Sequence, residues 1–300
     1  MNIAVIGSGA IALATGKGLI KHNNEITFVD SSIDNINKLN SSGFKAILAH
    51  DYTAITTSIT FICVPISNSD GSVKLTQFIS VIEQFASRLR THKNYHVLTI
   101  RSTILPGTAR NVVIPLIEKI SGKKAGKDFG VVFMPEYMRE NSAKQDYSRP
   151  WFILIGELDK KSGNIVEKLY HKFDAPIERV SLEEAEFQKY VHNSFNAVKI
   201  AFFNEIRVVA NEEGWDIDAI LNATAESSEG IWNPLYGMKN LGAFYGPALV
   251  NDTKALVRWG DDKNYNFGII RSVIAENIRH EKILSRDIAA LTEKVAKVHD

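Results

Sequence analysis

Over the first part of the chain, short apolar runs alternate with stretches in which apolar residues recur at helical spacing. Residues 2–6, Asn-Ile-Ala-Val-Ile, read as a buried strand, followed by a helical run to about His22 and a second strand over residues 25–29 that ends on Asp30. Further strands are expected over residues 59–64, 96–100, 130–133 and 151–155, and helices over 75–89, 108–120 and 162–173. Such alternation predicts an α/β fold with a mostly parallel, doubly wound sheet. Residues 181–213 break the pattern: they contain no Pro or Gly, open on Ser181 with Glu184 three residues on, and stop at Gly214. A capping box at one end and a left-handed glycine at the other predict one long helix. Its apolar residues, Leu182, Ala185, Tyr190, Val191, Phe195, Val198, Phe202, Ile206 and Val209, fall on nearly every side, which predicts a helix enclosed by protein. Beyond Gly214 the signal is helical, with a solvated helix expected after Arg279, except for residues 227–250, a Gly-rich segment with Pro234 and Pro247. An irregular stretch of that length more often carries function than not. The expected organisation is an N-terminal doubly wound domain over residues 1–180 and a smaller all-α domain over 181–300 that begins with the long connecting helix.

The turn between the first strand and the first helix reads Gly7-Ser8-Gly9-Ala10-Ile11-Ala12. Set between strand and helix, with Asp30 about twenty positions on, this is the GxGxxG/A fingerprint of a dinucleotide-binding Rossmann domain. The glycines let the backbone turn tightly and approach a pyrophosphate, whose charge meets the helix N-terminus. Asp30 would accept hydrogen bonds from both ribose hydroxyls and repel a 2′-phosphate, which favours NAD over NADP. Gly7, Gly9, Ala10, Ile11 and Asp30 are therefore the expected cofactor contacts.

Composition narrows the partners. With 300 residues, 45% hydrophobic and 23% charged, the chain has ordinary globular composition and room for two cores. Thirty-five basic and 34 acidic residues leave a net charge of +1, which points to a small-molecule partner and away from nucleic acid or an acidic membrane. The one cysteine excludes an internal disulfide, and Cys63, in the run Thr-Phe-Ile-Cys-Val, reads as a buried strand residue of a protein in a reducing compartment. No stretch of 18 apolar residues occurs and the N-terminal apolar run lacks a basic flank, so a cytoplasmic protein with no membrane partner is expected. No metal site is expected.

In a doubly wound sheet, ligands lie beyond the carboxyl ends of the strands. Three of the expected strands are followed by Val64-Pro65, by Arg101-Ser102-Thr103-Ile104-Leu105-Pro106-Gly107, and by Met134-Pro135-Glu136-Tyr137-Met138-Arg139-Glu140-Asn141-Ser142-Ala143. Singly, each admits a structural role: Pro65 and Pro106 end strands, and Arg139 can pair with a surface carboxylate. On the long helix Lys189 and Asn193 stand four residues apart, hence on one face and within reach of the same small molecule.

Together, GSGAIA, the Val-Pro with Asp70-Gly71-Ser72, RSTILPGT, MPEYMRENSA, EFQKYVHNSFNAVKIAFFNE and NDTKAL resemble the NAD-dependent UDP-glucose/GDP-mannose dehydrogenases, in order and approximate spacing over residues 1–256. The resemblance implies a dehydrogenase acting on a primary alcohol of a sugar or nucleotide sugar. In that family the alcohol is oxidised twice, to a carboxylate, through an aldehyde held on a cysteine. It implies Val64, Pro65, Thr103 and Glu140 beside the cofactor, with Thr103 and Glu140 positioning water or acting as base and Glu136 supporting its loop. Tyr137, Met138, Arg139, Tyr245 and Gly246 would join the substrate contacts, Lys189 would stabilise oxyanion charge, Asn193 would hold a sugar hydroxyl, and Asp252 would help shuttle the proton. An ammonium and an amide on one rigid helix suit such a role as preorganised donors. The breadth of the long helix's apolar face adds an expected homodimer.

Three departures accompany the resemblance. The family's Gly-Gly-Ser-Cys-x-Pro-Lys-Asp stretch reads here Tyr245-Gly246-Pro247-Ala248-Leu249-Val250-Asn251-Asp252, with Ala248 at the nucleophile's place. Glu229-Gly230-Ile231-Trp232 stands where the family's arginine reaches across the dimer. The chain also stops near where the family's third domain would begin. Without a thiol the first hydride transfer is retained and the covalent route to the second is lost, so a single two-electron step is expected. The alternatives are full oxidation through a free aldehyde hydrate, a β-hydroxyacid dehydrogenase-like enzyme, which shares the Lys-then-Asn helix pattern, and a non-catalytic NAD-binding protein.

Overall fold

The computed structural model describes residues 1–69, 72–138, 150–238, 242–245 and 247–296, and it divides into two compact units, Met1–Asn193 and Ser194–Asp300. In the first unit, β1 (Asn2–Ile6) is buried from its second residue on, and its side chains part by parity: Ala4 and Ile6 enter one apolar cluster, Ile3 and Val5 another. A strand covered on both faces needs no polar alternation, which is why it reads as an unbroken apolar run. β1 pairs in parallel with β2 (Glu25–Asp30) on one side and β4 (Ile59–Ile62) on the other. Outward from β2 lies β3 (Lys45–Leu48); outward from β4 come β7 (His96–Ile100), β8 (Phe129–Phe133), β9 (Ile153–Glu157) and β10 (Ile177–Ser181), eight strands in all. β5 (Ser67–Ser69) and β6 (Ser72–Lys74) form a separate antiparallel pair.

The strand order reverses between β1 and β4, the switch point at which a ligand cleft opens, and the Gly7 turn sits there. Helices α1 (Ala10–Lys21), α2 (Ile33–Ser41), α3 (Thr76–Leu89), α4 (Ile114–Ser121, entered through a π-helical turn, Ala109–Val113) and α5 (Lys160–Tyr170) accompany the sheet. The doubly wound architecture is as expected; α2, β3 and β10 are additions to the elements the pattern predicted. One pairing is not parallel: β9 runs against β8, with Val132 opposite Glu157 and Phe133 opposite Gly156, so the chain leaves β8 and enters β9 at the same edge of the sheet. α1 is seated so closely that a Cβ on Gly16 would collide with the Phe28 ring.

The long helix α6 spans Leu182–Glu212. Its capping box is made: Ser181 N donates to Glu184 Oε2 at 2.7 Å and Glu184 N to Ser181 Oγ at 3.3 Å. Gly214 follows with φ +73°, the left-handed stop. Enclosure of this helix is not found within one chain. Buried residues gather near its ends, Leu182, Ala185, Glu186 and Lys189 at one and Val209 and Ala210 at the other, while Phe187, Val191, Phe195 (63% accessible), Val198, Ile200 and Val208 are exposed. An all-round apolar pattern specifies that a helix is to be covered, not that its own chain covers it.

The second unit holds the rest of α6, α7 (Ile217–Ser227), α8 (Glu229–Trp232), α9 (Pro247–Asp262) and α10 (Gly268–Ala296); α6, α9 and α10 with the residue before it form a small core of Val209, Val257, Phe267 and Ile270, and Trp215 stacks on Trp259 at 5.9 Å. The segment expected to be irregular over residues 227–250 contains α8 and the start of α9, so Ala248 and Asp252 stand on a helix. No helix among the described residues is long and apolar enough to cross a membrane.

β7 opens on a fully buried His96, whose Nδ1 lies 3.0 Å from Thr57 O and Nε2 2.9 Å from Thr60 Oγ1. A carbonyl only accepts, so Nδ1 carries a proton; because burial disfavours a second proton, the ring is neutral and Nε2 accepts from the hydroxyl. Burial, helped by the neighbouring His92, pushes its pKa down from 6.5 to about 3. As pH falls below 6.5 the unfolded chain gains a proton that the folded state refuses, so the stability contributed by the neutral ring is present above pH 6.5 and is lost toward pH 3. Its share of the slope is about 1.4 kcal/mol per pH unit. In denaturant titrations between about pH 6.5 and 4, His96→Gln is expected to flatten the acid limb by that share; equal slopes would mean that folded His96 takes up the proton.

Candidate active site

Gly7 leaves β1 with φ +113°, and a Cβ there would come within 2.5 Å of the Cys63 carbonyl oxygen, so the turn admits only glycine. Gly9, exposed, caps α1 without a side chain, and the place its Cβ would take is open for 4 Å around. The first N–H groups of α1, at Ala10 and Ile11, are therefore not occupied by a capping side chain. Asp30 ends β2 with its carboxylate fixed: Oδ1 accepts from Ser32 N at 2.8 Å and from Asn35 Nδ2 at 3.5 Å, and the same Nδ2 donates to Ser8 Oγ at 2.8 Å. The acidic group and the glycine turn are thus tied together. Gly7, Ser8, Gly9, Asp30, Val64 and Pro65 line a cleft of about 950 Å³. An open glycine turn, an uncapped helix N-terminus and an oriented carboxylate fit the pyrophosphate and ribose of a dinucleotide.

Beside the cleft, the loop after β7 begins with buried Arg101 and Ser102 and half-buried Thr103. Ser102 Oγ donates to Val64 O at 2.6 Å, which pins this loop to Val64-Pro65. After β8, Met138 N donates to Glu136 Oε2 at 3.0 Å. Lys189 reaches this second loop from α6: Nζ donates to the Glu136 carbonyl oxygen and pairs with Glu136 Oε1 at 3.0 Å. Lys189 is 4% accessible, so the pair is shielded from water. Tyr137 completes the group, its hydroxyl donating to Gln188 Oε1 and its ring 5.6 Å from Lys189 Nζ and 4.9 Å from the His192 ring. Burial, and then the Lys189 ammonium, lower the His192 pKa; burial raises that of Tyr137.

The structure therefore brings Glu136, Tyr137, Met138 and Lys189 together and places Thr103 on the adjoining loop. Asn193 is exposed one turn beyond Lys189. Tyr245, Ala248 and Asp252 belong to the second unit, each exposed. Arg139, Glu140 and Gly246 lie outside the described residues. Cys63 offers no substitute for a nucleophile at Ala248: it is buried, and burial pushes its thiol pKa up to about 12.

Sequence reasoning missed Asn35, Ser102 and above all Glu186. The Glu186 side chain, 0% accessible, accepts from Gly107 N at Oε2 (2.5 Å) and from Ala109 N at Oε1 (2.8 Å). The available signal was its place on the stripe Leu182, Ala185, Glu186 and Lys189, at i, i+3, i+4 and i+7, where two charges interrupt an otherwise inward face.

Compared with protein-family models, residues 47–174 match the UDP-glucose/GDP-mannose dehydrogenase family, NAD binding domain, and residues 183–279 that family's central domain. GDP-mannose 6-dehydrogenase of Pseudomonas aeruginosa is 33% identical over 298 residues, which cover 92% of this chain and 68% of the relative. UDP-glucose 6-dehydrogenase of the same organism is 27% identical over 315 residues, covering 97% and 68%. Among solved structures, a ternary complex of GDP-mannose dehydrogenase from Pseudomonas aeruginosa superposes with a TM-score of 0.87 at 31% identity, over 93% of this chain and 69% of that one. The chain spans between 50% and 68% of the length of the GDP-mannose 6-dehydrogenases it matches.

With Asp30 held beside the glycine turn, NAD is expected to bind in preference to NADP, and Asp30→Ala to weaken NAD and narrow the gap by about tenfold or more, the size of one charge-assisted hydrogen bond. Calorimetry giving equal affinities for both cofactors in the unaltered protein would contradict the role of this carboxylate.

Proposed function

The chain belongs to the UDP-glucose/GDP-mannose dehydrogenase family, and we propose that it oxidises the primary alcohol of a nucleotide sugar with NAD, one two-electron step per substrate. The observation that carries this reading is the buried Lys189, fixed by Glu136 on the strand-end edge that also holds the dinucleotide cleft. NAD, when bound, supplies the hydride acceptor. Lys189 is read as the group that holds negative charge developing on the substrate oxygen; an ammonium already oriented by two bonds needs little reorganisation for that task. Asn193 is read as the donor to a neighbouring sugar hydroxyl, Asp252 as the carrier of the alcohol proton toward solvent, and Thr103 with Glu140 as the pair that orients water. Tyr137, Met138, Arg139, Tyr245 and Gly246 are assigned to the substrate.

The single step follows from residue chemistry. A second hydride leaves only from a tetrahedral adduct, and a methyl group at Ala248 cannot attack the aldehyde carbon. Cys63, with a thiol pKa of about 12, supplies no thiolate near neutral pH. GDP-mannose is the first substrate to test, because relatives that act on it by name share 33% or more of their aligned residues with this chain, against 27% for those named for UDP-glucose.

The exposed row Phe187, Val191, Phe195 and Val198 on α6 supports a homodimer formed about this helix, since a two-fold axis lets one apolar stripe cover its own copy. Sedimentation velocity at micromolar concentration should show a dimer that Phe195→Glu weakens; a monomer in the unaltered protein would refute this part of the reading.

The reaction itself is tested by stoichiometry. With limiting GDP-mannose or another accepted alcohol, one NADH per substrate and a trapped aldehyde are expected, and Lys189→Ala should lower turnover at least about tenfold. Two NADH and a carboxylate product would show that the hydrate route operates and that Ala248 does not stop the reaction at the aldehyde.

A further inference from the structure

We propose that Glu186 is a positioning residue, a clamp that fixes Thr103 relative to Lys189; the inference rests on the proposed alcohol oxidation for its catalytic purpose. Glu186 and Lys189 lie one turn apart near the start of α6, both almost wholly buried, and each is directed at a different strand-end loop. Glu186 takes the Gly107 and Ala109 amides of the loop after β7, one on each carboxylate oxygen, at 2.5 and 2.8 Å. Lys189 takes the Glu136 carbonyl and carboxylate of the loop after β8. Gly107, with φ +83°, makes the turn by which its N–H meets the carboxylate. At its other end the same loop is pinned by Ser102 Oγ on Val64 O, at 2.6 Å. Thr103 is therefore suspended between two anchors, one on the loop after β4 and one on the helix that carries Lys189.

The chemistry of the anchor argues that it is there for geometry. A buried carboxylate is costly unless its lone pairs are met, and it stabilises a fold no better than apolar groups of the same volume. Two charge-assisted bonds to backbone amides two residues apart, however, set distance and direction in a way that apolar packing does not. The exposed Arg110–Glu183 pair joins the same two segments from outside, where solvent screens it, and cannot replace that alignment.

The test compares the full chain with Glu186→Gln and Glu186→Ala. Glutamine keeps one acceptor oxygen and presents its amide N–H groups to the other backbone N–H; alanine keeps none. Hydrogen exchange at the Gly107 and Ala109 amides is expected to quicken at least about tenfold in the alanine variant and by less in the glutamine variant, as each lost charge-assisted bond implies. With GDP-mannose, kcat should fall in the same order, about tenfold or more for alanine, while KM changes less than about threefold. Should the alanine variant fail to fold, the glutamine variant carries both measurements. Unchanged amide exchange would overturn the clamp. Faster exchange with a lowered melting temperature but unchanged kcat would make Glu186 structural only and overturn its positioning role. If the unaltered protein oxidises no nucleotide sugar, the proposed function falls and the catalytic purpose with it, while the exchange measurement still decides whether the clamp exists.

Discussion

Two opposite charges removed from water on one turn of a helix set the geometry of this sheet's working edge. Glu186 and Lys189 are close enough in sequence to neutralise each other, yet each spends its hydrogen bonds on a different loop. A buried carboxylate requires N–H donors and a buried ammonium requires oxygens, and both kinds of group are available where strands end and the backbone has left the ladder. The requirement to satisfy these charges therefore draws the helix and two loops to one place. The loop after β7, the loop after β8 and α6 become a single frame, and Ser102 extends it to the loop after β4.

The cofactor side of that edge is organised by the opposite device, the absence of side chains. Gly7 lets β1 turn against the Cys63 carbonyl, and Gly16 lets α1 settle on the Phe28 ring. Where atoms are missing the backbone comes close, and where polar atoms are buried it is held. The two regimes meet at Val64, which lines the glycine cleft and accepts the Ser102 hydroxyl.

What was legible in the sequence follows this division. The fingerprint, Asp30, the Ser181 capping box and the Gly214 stop are local: neighbouring residues decide the conformation, so residue type suffices. α2 was hidden because its apolar residues, Ile33, Ile36 and Leu39, are sparse among Asn, Asp and Ser; β10, Ile-Glu-Arg-Val-Ser, is an edge strand that is nowhere fully buried and shows no apolar run. Glu186 looks like any solvated helix charge, because its partners stand 79 and 77 residues earlier. Exposure along α6 was unreadable for another reason: hydrophobicity records that a surface is to be covered and is silent about which chain covers it. Ala248 marks a fourth kind of limit, since the loss of a thiol is plain from the letter alone while its place on α9 is not.

The reversal between β8 and β9 carries a separate consequence. Because β9 runs against β8, Met138 and Pro150 both belong to a connection that departs from and returns to the ligand-side edge. A parallel sheet ordinarily charges a dozen or more residues for the journey back to its opposite edge. Here that journey is waived, so residues can be inserted or deleted in this connection without shifting the register of any strand. Among descendants of such a fold, the length and content of one excursion can drift while the sheet beneath it stays unchanged.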